Sequence, residues 1–218
     1  MKKIRINLLI ITILTFMMFG CVVKQEIYFN KDFSGKYKYS YDFTEYVGYM
    51  QGEEDNDSLM MKNDDFVDYL NIVVGKLKQT EGINNVKYLN DADNGLVYYQ
   101  FDFENVEALN KGLAFSSYLG QEPIENPPFF QQKRKSITFV RHALPAKNDD
   151  DKFIEGDMDE MNDMFIWEFT IEFEKDVKRY DVQMDSTVTV SNNKRKFVEK
   201  ANVFDIVEKE TKWVFKTK

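Results

Sequence analysis

The chain holds one cysteine and one histidine in 218 residues. A lone cysteine forms no internal disulfide. One Cys and one His cannot supply the clustered ligands of a zinc site. Histidine is the usual general base near neutral pH, so His142 is the sole candidate for that role. It sits beside Arg141 at the end of a strand-like stretch. No Gly-x-Ser-x-Gly elbow accompanies it, and no glycine-rich phosphate loop is present. A core histidine or a solvated one is the simpler reading. No apolar run reaches the roughly 20 residues that span a bilayer as a helix.

Bulk is what the chain has. Apolar residues make up 43% and aromatics 15%, with 19 Phe and 12 Tyr. That composition packs a core, and the length suits one domain or two small ones sharing a sheet.

The first 20 residues are of another kind. Lys2, Lys3 and Arg5 precede an almost unbroken apolar run of about 12 residues, which is the layout of a secretory signal. The positive flank keeps its N-terminus in the cytoplasm. The run ends at Met18-Phe19-Gly20-Cys21. These four residues resemble the lipobox of bacterial lipoproteins, usually Leu-Ala/Ser-Gly/Ala-Cys. Gly20 and Cys21 match, Met18 is a tolerated apolar substitute, and Phe19 is bulkier than the usual residue. The resemblance implies cleavage between Gly20 and Cys21, with thioether-linked diacylglycerol and an N-acyl chain such as palmitate on Cys21. It therefore implies a covalent lipid anchor in the cell envelope and excludes a Cys–His pair. In the same family an Asp after the cysteine favours inner-membrane retention. Val22 stands there, which favours the outer membrane, facing the periplasm or the surface.

Loss of residues 1–20 leaves 26 basic and 37 acidic residues. A net charge near −11 opposes nucleic acid and anionic lipid surfaces. Membrane attraction has to come from the acyl chains. The expected partners are the membrane, through that lipid, and other envelope proteins. No cofactor and no metal are expected.

Strand-like sequence begins almost at once after Cys21. Residues 25–30 and 36–43 read as strands around a turn at 31–35. Tyr37, Tyr39 and Tyr41 point to one face, Lys36, Lys38 and Ser40 to the other. The tyrosines read as a surface packed under helices, or as an aromatic platform for a glycan or peptide. Thr44 can cap a short helix toward Met50, and 52–58 is an acidic loop. A longer helix, capped by Asn63 or Asp64, runs to Glu81 before Gly82. Its apolar face is Phe66, Leu70, Val73, Val74 and Leu77. Residues 86–90 and 96–103 form a second hairpin around Asp93-Asn94-Gly95. Asn105 caps a helix with Val106, Leu109 and Leu113, ending near Gly120.

The two hairpins align at an offset of 60. Tyr28/Tyr88, Asn30/Asn90, Gly35/Gly95, Tyr39/Tyr99, Asp42/Asp102 and Phe43/Phe103 are six identities in 16 positions, against about one by chance. Duplication of a hairpin–helix unit and convergence on the same turn chemistry are both open.

Residues 125–128 are a linker. Strands are expected at 136–142, 165–173, 180–190, 196–201 and 212–216, with a turn at Asn192-Asn193. Residues 203–208 are a short helix or a loop. The acidic stretches at 53–57 and 149–163 do not fit the Ca²⁺-binding EF-hand loop and read as solvated loops. Paired carboxylates can make a glycosidase. Glu168 and Glu172 lie roughly 13 Å apart along one strand, beyond the roughly 5–9.5 Å that chemistry uses. Glu172 and Glu174 are closer, where the strand runs into charged sequence.

The run Phe29-Asn30-Lys31-Asp32-Phe33-Ser34-Gly35, behind a lipobox and before an alternating strand ending in Asp42, resembles uncharacterised small lipoproteins of the Bacteroidota. There the hairpin often reads Phe-Asn-x-Asp-Gly-Ser-Gly, and Phe33 replaces its first Gly. The family brings no known activity.

The expected fold is α+β: an antiparallel sheet built from β-hairpins, two or three helices on one face, and a β-rich C-terminal half. The expected organisation is a signal peptide at 1–20 and a single domain at 21–218. Within it, 22–120 and 132–218 are possible sub-units. The expected role is a membrane-anchored, non-enzymatic binding or structural module. The alternatives are a carrier or sensor of a hydrophobic or glycan ligand, and a carboxylate-based hydrolase.

Overall fold

The computed structural model describes residues 21–44, 64–116, 129–142, 165–182, 188–202 and 210–218. The expected helix at 44–50, the loops at 52–58 and 147–163, the helix end at Gly120 and the segment 203–208 lie largely or wholly outside them.

Eleven strands are described: β1 (Cys21–Phe29), β2 (Gly35–Asp42), β3 (Ile83–Asp91), β4 (Leu96–Phe103), β5 (Phe129–Lys133), β6 (Ser136–Arg141), β7 (Phe165–Phe173), β8 (Val177–Val182), β9 (Val188–Ser191), β10 (Lys196–Asn202) and β11 (Thr211–Thr217). Two helices join them, α1 (Asp64–Lys78) and α2 (Val106–Ser116). The strands form two sheets, β3-β4-β2-β1-β7-β10-β9 and β5-β6-β11-β8. The protein is mostly β, with helices and the smaller sheet against the larger one.

The larger sheet is not purely antiparallel, as the hairpin pattern suggested. β1 runs parallel to β7 over nine pairs, Cys21↔Phe165 through Phe29↔Phe173. That pairing joins residues 144 positions apart in the chain, so local hairpin chemistry carries no sign of it.

Alternation sets the faces. On the inner face, Ile27, Phe29, Tyr37, Phe101, Phe169, Ile171 and Phe197 are almost wholly buried. The smaller sheet packs over the β1, β7 and β10 half. Ring contacts such as Phe139–Phe169 at 4.8 Å, Phe173–Phe215 at 5.1 Å and Phe197–Phe215 at 4.7 Å fill the layer. The helices lie against β3 and β4. Phe29 ties the parts together, with ring centroids 5.6 Å from Phe103, 5.5 Å from Phe130 and 5.4 Å from Phe173.

α2 approaches closely because it carries a glycine where it meets the sheet. A Cβ on Gly112 would lie 2.5 Å from Phe101 Cζ. Asn105 caps the helix, its Oδ1 accepting from the Ala108 N–H at 2.9 Å. Asn110 fastens it to the smaller sheet, accepting from Phe130 N at 2.7 Å and donating to Phe130 O at 2.8 Å.

The first hairpin turn is closed by Asp32. Its Oδ1 accepts from Ser34 N at 3.0 Å and Ser34 Oγ at 2.7 Å. Phe33 has φ 66°, the left-handed region that favours glycine. Its side chain is nonetheless buried, edge-on to Phe29 at 6.3 Å. Left-handed strain costs about 1–2 kcal/mol, and burying a Phe returns about 1.5–3 kcal/mol. Burial wins narrowly. Phe33→Gly should therefore destabilise by about 1 kcal/mol, despite restoring the residue the backbone prefers. A urea midpoint that rises instead would mean that strain dominates.

The duplication does not survive pairing. The first hairpin pairs Tyr28 with Lys36. An offset of 60 demands Tyr88 opposite Leu96, whereas Tyr88 pairs with Tyr99. Gly35 is a strand residue opposite Phe29, while Gly95 is a turn residue at φ 72°. Tyr39 and Tyr99 do share the inner face, stacked at 5.6 Å. The likeness is confined to the second strands, and convergence accounts for it.

Candidate functional site

Cys21 is the first described residue and already lies in β1. Its backbone pairs with Phe165 of β7, and the pairing with β2 starts one residue later, at Val22↔Asp42. The side chain faces the inner layer and is only 6% exposed. Burial pushes the free thiol pKa up to about 11, with Asp42 adding to the effect. A neutral, enclosed thiol is a poor nucleophile. The geometry offers no redox or catalytic use for it.

Aromatic rings surround this end. Tyr39 lies 5.1 Å from Tyr41 and 6.2 Å from Trp167, and Tyr41 lies 5.2 Å from Phe66. Tyr37 accepts a hydrogen bond from Gln25 Nε2 at 3.1 Å. Burial raises the phenol pKa of Tyr39, Tyr41 and Tyr69. The tyrosines of β2 are packed beneath α1 and beside β7, which removes them as an aromatic platform for ligands.

On the opposite face, Asp42 accepts from Lys24 Nζ at 3.1 Å and Thr44 Oγ1 at 2.8 Å. Burial pushes its carboxyl up, but the bonds from Thr44 and Lys24 outweigh it and hold the pKa below the usual range. Asp32 is held low by the hydroxyl and amide of Ser34. Glu174 is held low by Lys31, and Asp176 by Lys218. All four carboxyls therefore ionise more readily folded than unfolded. Their contribution is complete above the ordinary values, 3.8 for Asp and 4.5 for Glu, and is lost as pH falls through the lower folded values. The melting temperature should hold from about pH 6 to 5 and fall steadily below about pH 4.5. Asp42→Asn should flatten part of that fall, which a pH series of thermal melts would detect.

Three stretches of sequence link strand ends at the Cys21 end: residues 45–63 after β2, 143–164 between β6 and β7, and 203–209 between β10 and β11. They contain 15 acidic and four basic residues, whereas the rest of the chain from Cys21 onward has 22 of each. The whole net negative charge is thus carried by connections attached where Cys21 sits. Left to electrostatics, an anionic bilayer repels a chain of this net charge.

A buried ion pair bridges the sheets at the same end. Arg141 of β6 donates from both terminal nitrogens to Glu199 of β10, at 3.0 and 3.1 Å, and also to Thr211 Oγ1 of β11 at 2.8 Å. Both side chains are nine-tenths buried. The sequence reading missed them, although parity was available. Arg141 follows Ile137 and Phe139 on one face, and Glu199 follows Phe197, so each strand points a charge into the core.

The other candidates are dispersed. His142 lies just past the end of β6 with its ring 5.7 Å from that of Phe129. Glu168 pairs with Lys200 at 2.7 Å, Glu172 accepts from Asn192 at 3.0 Å, and Glu174 pairs with Lys31 at 3.1 Å. Among the described residues no cluster of three His, Cys, Asp or Glu could hold a metal ion. No helix among them is long and apolar enough to cross a membrane.

No protein-family model matches the chain, and no curated protein matches it significantly. Among solved structures, the chain is similar to the folded domain of LppM from Mycobacterium tuberculosis, determined by NMR. Identity is 11%, coverage is 90% of each chain, and the TM-score is 0.46. A likeness of that size carries no argument about function.

Proposed function

We propose that this protein is an envelope lipoprotein: cut before Cys21, acylated there, and acting as a non-enzymatic module held against a membrane. The observation that carries the reading is that the lipobox-like motif ends at a residue that already belongs to strand β1, Cys21. No linker separates the modified residue from the sheet, so the domain stands directly on the bilayer. Acylation has a local cost, because a diacylglyceryl group does not fit where the thiol lies. Cys21 must turn outward, giving up its bridge to Phe165 while Val22 keeps its partners. Val22 in place of Asp favours the outer membrane.

Acyl chains overcome the repulsion. Each buried CH₂ contributes about 0.8 kcal/mol, and two or three chains anchor stably. Metabolic labelling with palmitate tests the assignment. Label should enter the native chain and be absent from Cys21→Ser. Equal labelling of both would refute the site.

A further inference from the structure

Among the described residues, no second layer packs on the outer face of the larger sheet. A shallow depression of about 220 Å³ lies there, crossing β4, β2, β1 and β7. Two cross-strand rows of side chains form it. One row is Gln100–Lys38–Glu26–Thr170, and the other brings Lys36, Tyr28 and Glu172 side by side.

Most polar groups of this patch are unspent, Glu172 excepted, which accepts from Asn192 at 3.0 Å. Elsewhere on the same face charges are paired: Lys24 with Asp42 at 3.1 Å, Lys200 with Glu168 at 2.7 Å, and Asn85 donating to Asp102 at 2.7 Å. In the depression Glu26 stands directly across from Lys38, yet the Lys38 ammonium lies 4.9 Å over the Tyr98 ring instead. Among the described residues, Glu26, Lys36, Gln100 and the Tyr28 hydroxyl engage in no hydrogen bond or ion pair. Thr170 lines the same depression, is 3% exposed, and its hydroxyl has no partner. A buried hydroxyl without a partner is costly and marks a place where a ligand can complete the bonding.

We propose that this depression binds a neutral sugar ring, either free or as a terminal unit of a glycan. The volume matches one small ring held in the depression, since pockets for drug-sized molecules run to about 300–1,000 Å³. Two lysines against two glutamates leave no net charge to select an ion. Carboxylate, ammonium and amide around one tyrosine provide both acceptors and donors for hydroxyls, with a ring to stack against. The site is independent of acylation at Cys21. Its residues on β1, Glu26 and Tyr28, lie five and seven positions along the strand from Cys21, roughly 16 Å or more away.

The test uses the full-length protein purified in detergent, titrated calorimetrically with glucose, N-acetylglucosamine, galactose and inorganic phosphate, then applied to an array of immobilised glycans. At least one sugar should bind, and Tyr28→Ala and Glu26→Gln should each weaken it about tenfold or more. Lys200→Ala, on the same face but outside the depression, should bind as the native chain does. Matching thermal melts would exclude unfolding as the cause. Binding to the array but not to free monosaccharides would assign a glycan end as the ligand. Binding of phosphate alone, sugar binding indifferent to Tyr28 and Glu26, or no sugar binding up to about 10 mM, tenfold above a weak dissociation constant of about 1 mM, would each overturn the proposal.

Discussion

Glu199→Ala should cost about 3–5 kcal/mol of stability, the largest loss expected from any single polar substitution here. The reason is the partner left behind. Arg141 is nine-tenths buried, and without Glu199 its guanidinium keeps only Thr211 Oγ1, 2.8 Å away. For a domain of this size, about 1 kcal/mol moves the melting temperature by about 2–4 °C, so a drop of about 10 °C or more is expected. The pair itself adds little net stability, because desolvation offsets its attraction. The double variant Arg141→Met/Glu199→Leu should accordingly recover most of the loss. A double variant as unstable as the single would show that the bridge itself holds the sheets together. A single variant within about 1 kcal/mol of the native protein would mean that the end is wetter than its burial implies.

Cys21→Ser should convert the protein from membrane-bound to soluble or unprocessed, a larger effect on behaviour than any core substitution. One myristoyl-sized chain gives a partition constant of only about 10⁴ M⁻¹, and two or three chains make anchoring effectively irreversible. Nothing in the polypeptide replaces that attraction, since 15 acidic and four basic residues lie in the connections at this end. Purified chain from Cys21 onward, without lipid, should fail to sediment with anionic vesicles at low or high salt. Sedimentation at low salt that salt abolishes would reveal a cationic face not expected here.

Legibility in the sequence followed locality. β4 and β7 were readable to the residue, because Tyr99–Phe103 and Trp167–Phe173 alternate between apolar and polar positions behind apolar starts. The cap at Asn105 was equally plain. β3 begins at Ile83, three residues before the expected start. Its register shifts between Asn84 and Lys87, with Asn85 at φ 52°, which breaks the period. α1 ends at Lys78 rather than Glu81. The chain turns at once, with Ile83 N donating to Thr80 O at 3.1 Å, and Gly82 sits in that turn at φ 80° rather than capping the helix. β5 was missed because Phe129–Lys133 offers only two apolar residues before three polar ones.

The expected single strand at 180–190 is two, β8 in one sheet and β9 in the other. Alternation reports a face but not which sheet owns it. The parallel partnership of β1 and β7 and the meeting of Arg141 with Glu199 are set by packing between distant segments. The depression on the outer face was hidden for the same reason, since it draws on four strands and its distinguishing feature is the partners those side chains do not have.

The most direct measurement is the intact mass of the protein extracted from envelopes, with its N-terminal residue identified. The account predicts a polypeptide starting at Cys21 and heavier than its sequence by a diacylglyceryl group and an acyl chain. A membrane-bound protein that retains residues 1–20, or begins at Cys21 with no added fatty acid, would contradict it.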